Sequence, residues 1–180
     1  MFFFLKKVYI KTYISYNLKN IGGEKVLNKS DLVFLTFLRQ NARHTLTRIS
    51  RETKIPITTL YEKLKKHEKE IILKHTTLLD FSKLGYLCRA NLLLRADREN
   101  RDKLGSYLKA HPVVNNLYKI NNGYDFMAES VFENIKELED FLESLDDKFS
   151  LEEKKVFYII EDIRREGFLS KERLLPRMEV

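Results

Sequence analysis

The sequence predicts an α+β chain, with an N-terminal winged helix-turn-helix domain and a C-terminal ferredoxin-like βαββαβ domain. Residues Thr45 to Glu70 read as two short helices split at Thr53-Lys54-Ile55-Pro56, because the residue before a proline is pushed out of the α region. From Tyr86 to Asp162 strand-like and helix-like patterns alternate in the order βαββαβ. The basic surplus is confined to the first part of the chain. Lys and Arg outnumber Asp and Glu five to one over residues 1–27 and ten to five over 28–72, then fall short, 18 against 20, over 73–180. A polyanion partner for the N-terminal domain follows from that distribution, and the net charge of +7 alone does not give it.

The expected organisation is an N-terminal extension (1–26), a helix-turn-helix domain (27–72), a connecting strand (73–85), the βαββαβ domain (86–163) and a tail (164–180). Apolar content of 43% and charged content of 33% suit a folded soluble protein. The single cysteine, Cys88, excludes an intramolecular disulfide and a multi-Cys zinc site; its apolar setting reads as a buried small hydrophobe. His44, His67, His75 and His111 have no ligand spacing. No cofactor, metal site or catalytic residue is expected, and a reducing, cytoplasmic location is the default.

Met1-Phe2-Phe3-Phe4-Leu5 is apolar but too short for a signal core or a membrane span, and its charges follow the apolar run. The residues up to Ile21 are those of A/T-rich codons, and Gly22-Gly23-Glu24 can be encoded by a ribosome-binding sequence. The expectation is a native start near Val26 or Leu27, with residues 1–26 a non-native or disordered extension.

The first helix is expected over Asp31–Asn41, capped by Asn28 or Ser30, with Leu32, Leu35 and Leu38 inward and Phe34 and Phe37 beside them. Thr45 can cap the second, which turns Leu46, Ile49 and Ser50 inward. In the third, Leu60, Leu64 and His67 share the inner face, and Thr59 and Glu62 have capping-box spacing. Its other face carries Thr58, Thr59, Tyr61, Glu62, Lys63, Lys65 and Lys66. Such a pair suits entry into the major groove, although a solvated charged face has the same composition. Ile71-Ile72-Leu73 onward reads as a wing or connecting strand, and Asp80 to Gly85 as a boundary.

In the second domain, strands are expected over Tyr86–Ala96, Val113–Ile120, Tyr124–Val131 and Lys155–Asp162. Helices are expected over Arg98–Ala110, stopped by Pro112, and after Asn134, with Ile135, Leu138, Leu142 and Leu145 as its inner stripe and Phe141 beside it. Asn121-Asn122-Gly123 is a hairpin signal, since Asn-Gly supplies positive φ angles. Two helices cover one sheet face, so a second subunit is the economical cover for the other. A short helix in the tail after Ile163 is open.

This arrangement resembles the Lrp/AsnC family of prokaryotic transcription regulators, also called feast/famine regulatory proteins, from Leu27 to Asp162. The likeness runs through Leu27-Asn28-Lys29-Ser30-Asp31, Asn41-Ala42-Arg43, Arg48-Ile49-Ser50, Thr59-Leu60, Lys63-Leu64, Lys66-His67-Glu68, His111-Pro112-Val113-Val114 and Tyr124-Asp125-Phe126. Lys54 stands where the family's turn has Gly, Pro56 where it has a capping Ser, and His67 where it has a core Leu. Asn122 stands at the hairpin's Gly position, with Gly123 following.

The resemblance implies a sequence-specific, non-enzymatic DNA-binding regulator. Its partners would be double-stranded DNA, a second copy in a homodimer, larger assemblies such as octamers, and an amino-acid effector at subunit interfaces; no membrane partner is implied. On the helical wheel Ile57, Thr58, Tyr61 and Glu62 lie toward base edges, and Thr59, Lys63 and Lys66 toward phosphates. Arg43, Arg48 and Arg51 are candidates for backbone contacts, with an internal ion pair the alternative for Arg43. Asn122, Gly123, Tyr124 and Asp125 hold the effector places, the alternative being a simple tight turn with Asp125 paired to a neighbouring Lys or Arg. Two rivals stand beside this reading. One is a small-molecule sensor subunit with a protein-docking N-terminal domain; the other is an enzyme on the same fold, for which no phosphate loop, metal cluster or nucleophile–base pair speaks.

Overall fold

A computed structural model describes residues 27–170. The described residues divide into two compact units, one of residues 27–75 and 166–170, the other spanning Thr76–Arg165. The expectations for residues 1–26, and for the tail beyond residue 170, lie outside the described residues.

The first unit is three helices: α1 (Lys29–Gln40), α2 (Leu46–Thr53) and α3 (Ile57–Glu70). Asn28 starts α1 two residues before the expected Asp31, because its side chain takes the Asp31 amide while Asp31 takes the Asn28 amide. Thr45 caps α2 by accepting from the Arg48 amide at 3.2 Å. Phe34, Ile49 and Leu60, one from each helix, are fully buried and meet in one cluster, with Phe37, Leu38, Leu46, Ile55 and Leu64 packed around them. Phe34 is thus the centre of α1's inner face, where the pattern had placed it at the margin. Residues 72–80 form no strand, so the expected wing is absent. A wing needs a return strand to pair with, and this segment has none among the described residues; Leu73 is 99% exposed.

The second unit is the βαββαβ sandwich: β1 (Cys88–Ala96), α4 (Arg101–Ala110), β2 (Val114–Lys119), β3 (Phe126–Phe132), α5 (Ile135–Phe149) and β4 (Leu151–Tyr158). The sheet order is β2-β3-β1-β4, and every neighbouring pair is antiparallel. Ala90, Leu92 and Leu94 of β1 and Ala128 of β3 are buried with Leu104 and Leu108 of α4 and Leu138, Phe141, Leu142, Leu145 and Phe149 of α5. Cys88 is buried with them, and burial, with Glu139's charge second, pushes its thiol pKa up.

Some boundaries differ from the expected ones, for local reasons. Helix α4 begins at Arg101 and not Arg98, because the Asp97 carboxylate binds the Asn100 amide at 2.7 Å and holds residues 98–100 in a turn. Strand β4 spans Leu151–Tyr158 and not Lys155–Asp162; its first half, Glu152 to Lys155, is an exposed charged edge that carries no apolar signal. Ile135, expected inward, is 59% exposed in the first turn of α5, where Asn134 caps by accepting from the Glu137 amide. No helix forms over residues 163–170.

On the open sheet face, directly paired residues lie side by side. Leu93 faces Met127 and Lys155, Met127 faces Tyr118, and Asn91 faces Glu129 and Phe157. Tyr118 and Phe157 are exposed on it.

Candidate nucleic-acid interface

The break between α2 and α3 sets the angle of the candidate docking helix. Thr53 Oγ1 donates to the Ile49 carbonyl at 2.7 Å, and the Ile55 amide donates to Thr53 Oγ1 at 3.3 Å. Lys54 takes the left-handed conformation (φ 63°, ψ 15°) that usually calls for Gly. The left-handed turn is therefore kept with a side chain on it. Pro56 is extended (ψ 142°) and stands just outside α3, offering its carbonyl to the Leu60 amide at 3.0 Å and no side-chain cap. Thr59 and Glu62 lie inside α3, so their spacing marks no helix start; Pro56 occupies the cap position three residues before Thr59.

Leu60 and His67 are buried under α3 and Leu64 packs beside them. Ile57, Thr58, Thr59, Tyr61, Glu62, Lys65 and Lys66 are exposed, with Tyr61 at 57%. Lys65, which continues the Thr58–Tyr61 stripe by one turn, belongs with this set; its i+7 and i+4 spacing was the available signal. Lys63 does not belong. Its ammonium lies 2.5 Å from Asp31 Oδ1 and its side chain is 14% exposed, an internal partner where a phosphate contact was expected. Asp31 is itself buried: burial works to raise its pKa, but hydrogen bonds from Lys63 and His67, Lys63's charge and the Asn28 amide outweigh that and hold it below the ordinary value.

Arg43 and Arg51 are exposed, while Arg48 is exposed but paired with Glu52 at 2.8 Å, one turn along α2. The Arg43 amide donates to Asn41 Oδ1, and no ion pair of its guanidinium is recorded among the described residues.

In the second unit the hairpin takes the expected form: Asn122 (φ 68°) and Gly123 (φ 94°) form its tip, closed by the Ile120 amide donating to the Asp125 carbonyl at 2.9 Å. Tyr124 donates its hydroxyl to Glu153. Asp125 has the neighbouring-arginine partner that was the alternative to a ligand ammonium. Its Oδ1 lies 2.6 Å from Arg101 Nε and its Oδ2 accepts from the Ala96 amide at 3.1 Å. The same unit has a cleft of about 500 Å3, lined by Leu78, Leu79, Phe81, Tyr86, Arg89 and Asp162 among others. In it Asp162 grips Arg89 at 2.6 and 3.1 Å, which raises the guanidinium's pKa. No group of three or more His, Cys, Asp or Glu that could hold a metal ion occurs among the described residues, and no helix there is long and apolar enough to cross a membrane.

A tri-helical unit with an exposed, basic second helix of its pair, followed by a βαββαβ unit, defines the class of two-unit helix-turn-helix proteins. Comparison places the chain within that class. Residues 90–166 match the family model of the Lrp/AsnC ligand binding domain. It is 26% identical over 118 residues to the HTH-type transcriptional regulator FL11 of Pyrococcus horikoshii, a match covering 65% of this chain and 78% of that one. FL11 of Pyrococcus furiosus is 25% identical over 119 residues, covering 66% and 79%. In fold it is similar to B. subtilis LrpC, with 20% identity, TM-score 0.70 and coverage of 77% and 97%. A transcriptional regulator of Neisseria meningitidis solved as a complex with L-Met is also similar, with 16% identity, TM-score 0.72 and coverage of 78% and 94%.

Proposed function

We propose that this protein is a sequence-specific DNA-binding transcriptional regulator of the Lrp/AsnC type. The observation that carries the reading is the outward face of α3, where Ile57, Thr58, Tyr61 and Glu62 stand beside Lys65 and Lys66 on a buried three-helix core. Ile57, Thr58, Tyr61 and Glu62 read base edges; Thr59, Lys65 and Lys66 neutralise phosphates, with Arg43 and Arg51 adding backbone contacts and Arg48 doing so after release from Glu52. The names of the Pyrococcus relatives support the same role. The protein has no catalytic function in this reading.

The regulator acts as a homodimer, with a second copy covering the open sheet face that carries Tyr118, Met127, Leu93 and Phe157. Octamer-like assemblies of such dimers are the larger form. An amino-acid effector binds at the hairpin through Asn122, Gly123 and Tyr124, while Asp125 holds the hairpin base; the likeness to a regulator complexed with L-Met supports an amino acid as its class. A salt titration of binding to double-stranded genomic fragments tests the reading. The expected result is retention of discrete fragments, with affinity falling steeply as salt rises. Uniform, weak retention of all fragments would contradict it.

A further inference from the structure

The two oxygens of Asp31 have separate partners. Oδ2 accepts from the Asn28 amide at 3.2 Å, closing the N-terminal box of α1. Oδ1 lies 2.5 Å from Lys63 Nζ and 3.2 Å from His67 Nε2. Lys63 and His67 are four residues apart on α3, so one carboxylate grips two successive turns of the candidate docking helix. His67 is fully buried, its ring 6.4 Å from that of Phe34, and its Nδ1 has no hydrogen-bond partner among the described residues. The apolar cluster of Phe34, Ile49 and Leu60 sets how closely the helices approach, but apolar burial is non-directional and does not by itself fix sliding along the axis. A buried, directional ion pair constrains it strongly, because displacing either partner leaves a charge without its counter-ion.

We propose that Asp31, acting through Lys63 and His67, is the positioning residue of the DNA-docking helix, and that Lys63 is a tether and not a phosphate contact. This rests on the reading of α3 as the docking element. The tether fixes the height of α3 against α1, and with it where Ile57, Thr58 and Tyr61 meet the base edges. Lys65 and Lys66 then supply the helix's phosphate neutralisation.

The test uses the full-length protein and a duplex recovered by selection from a random-sequence library, at a temperature where thermal melting shows every variant folded. Lys66→Ala should lower the slope of log affinity against log salt by about 0.9, the signature of one lost phosphate contact. Lys63→Met should weaken binding by about tenfold, comparable to losing one base-edge contact, while leaving the slope at the wild-type value. Lys63→Arg should restore affinity to within about threefold, since a guanidinium can still pair with Asp31. If Lys63→Met fails to fold, Asp31→Asn/Lys63→Met, which leaves no unpaired charge, must show the same loss at the same slope. A slope lowered as in Lys66→Ala makes Lys63 a phosphate contact and overturns the proposal. Wild-type affinity in the folded variants makes the cluster merely structural and also overturns it. Selection of no duplex by the wild type, or a Lys66→Ala slope equal to wild type, overturns the reading of α3 itself.

Discussion

Arg101 Nε lies 2.6 Å from Asp125 Oδ1, so the first residue of α4 is tied to the base of the β2–β3 hairpin. With Asp125 Oδ2 on the Ala96 amide, the same carboxylate also fixes the end of β1. Asp125→Ala removes an acceptor from a largely buried amide and should lower stability by about 1–3 kcal/mol, measured by urea unfolding. Affinity for an amino acid found to bind the wild type should not change in a folded Asp125→Asn protein, measured by calorimetry. A drop of about tenfold or more would return Asp125 to the effector site.

Asp31 links stability to pH with a definite sign. Its pKa is held below the ordinary 3.8, so the unfolded chain takes up the proton first as pH falls. The stabilisation is therefore fully present above that value and is lost as pH drops through the lower, folded-state pKa. Asp31→Asn should be less stable than wild type at neutral pH, with the gap closing at the acid end of a denaturation series. A gap that stays constant below pH 3.8 would show that the carboxylate's charge contributes nothing.

Lys54 carries a side chain through a left-handed turn, at a cost of about 1–2 kcal/mol relative to the right-handed region. Lys54→Gly relieves that strain but adds freedom to the unfolded chain, for a net gain of up to about 1 kcal/mol in chemical unfolding. A loss of stability on substitution would mean that the Lys54 side chain makes a stabilising contact.

Gly105 is the opposite case. It lies mid-helix in α4, where alanine would ordinarily favour the helix by about 1 kcal/mol. Here a Cβ would come within 2.8 Å of the buried Phe126 ring. Gly105→Ala should destabilise the second unit by about 1–3 kcal/mol, because overpacking outweighs propensity. An unchanged or raised melting temperature would show that the ring moves aside freely.

Much of the fold is legible in the residues because local and global signals agree there. Asn134 announces α5, Asn122-Gly123 announces the hairpin, and the alternation of Ala90, Leu92 and Leu94 with Asn91 and Leu93 announces a strand with one deeply buried face. The start of β4 is hidden because an edge strand facing solvent needs no apolar residues, and Glu152, Glu153, Lys154 and Lys155 read as a loop. In the candidate interface, the helical wheel finds the exposed stripe of α3 but places Lys63 by its charge, on the solvent side. Its partner, Asp31, is 32 residues away, and no periodicity within α3 records that a buried carboxylate waits on another helix. The partners of Asp125 are hidden for the same reason: Arg101 and the Ala96 amide reach it from other elements.

Genome-wide capture of DNA fragments by the purified full-length protein, compared with a variant in which Tyr61 and Lys66 are both alanine, shows whether α3 reads DNA sequence. A limited set of enriched fragments sharing one sequence pattern, located upstream of genes, is expected, with the enrichment lost in the variant. No enrichment above background for the wild-type protein, or the same enriched set for both proteins, would contradict that reading of α3.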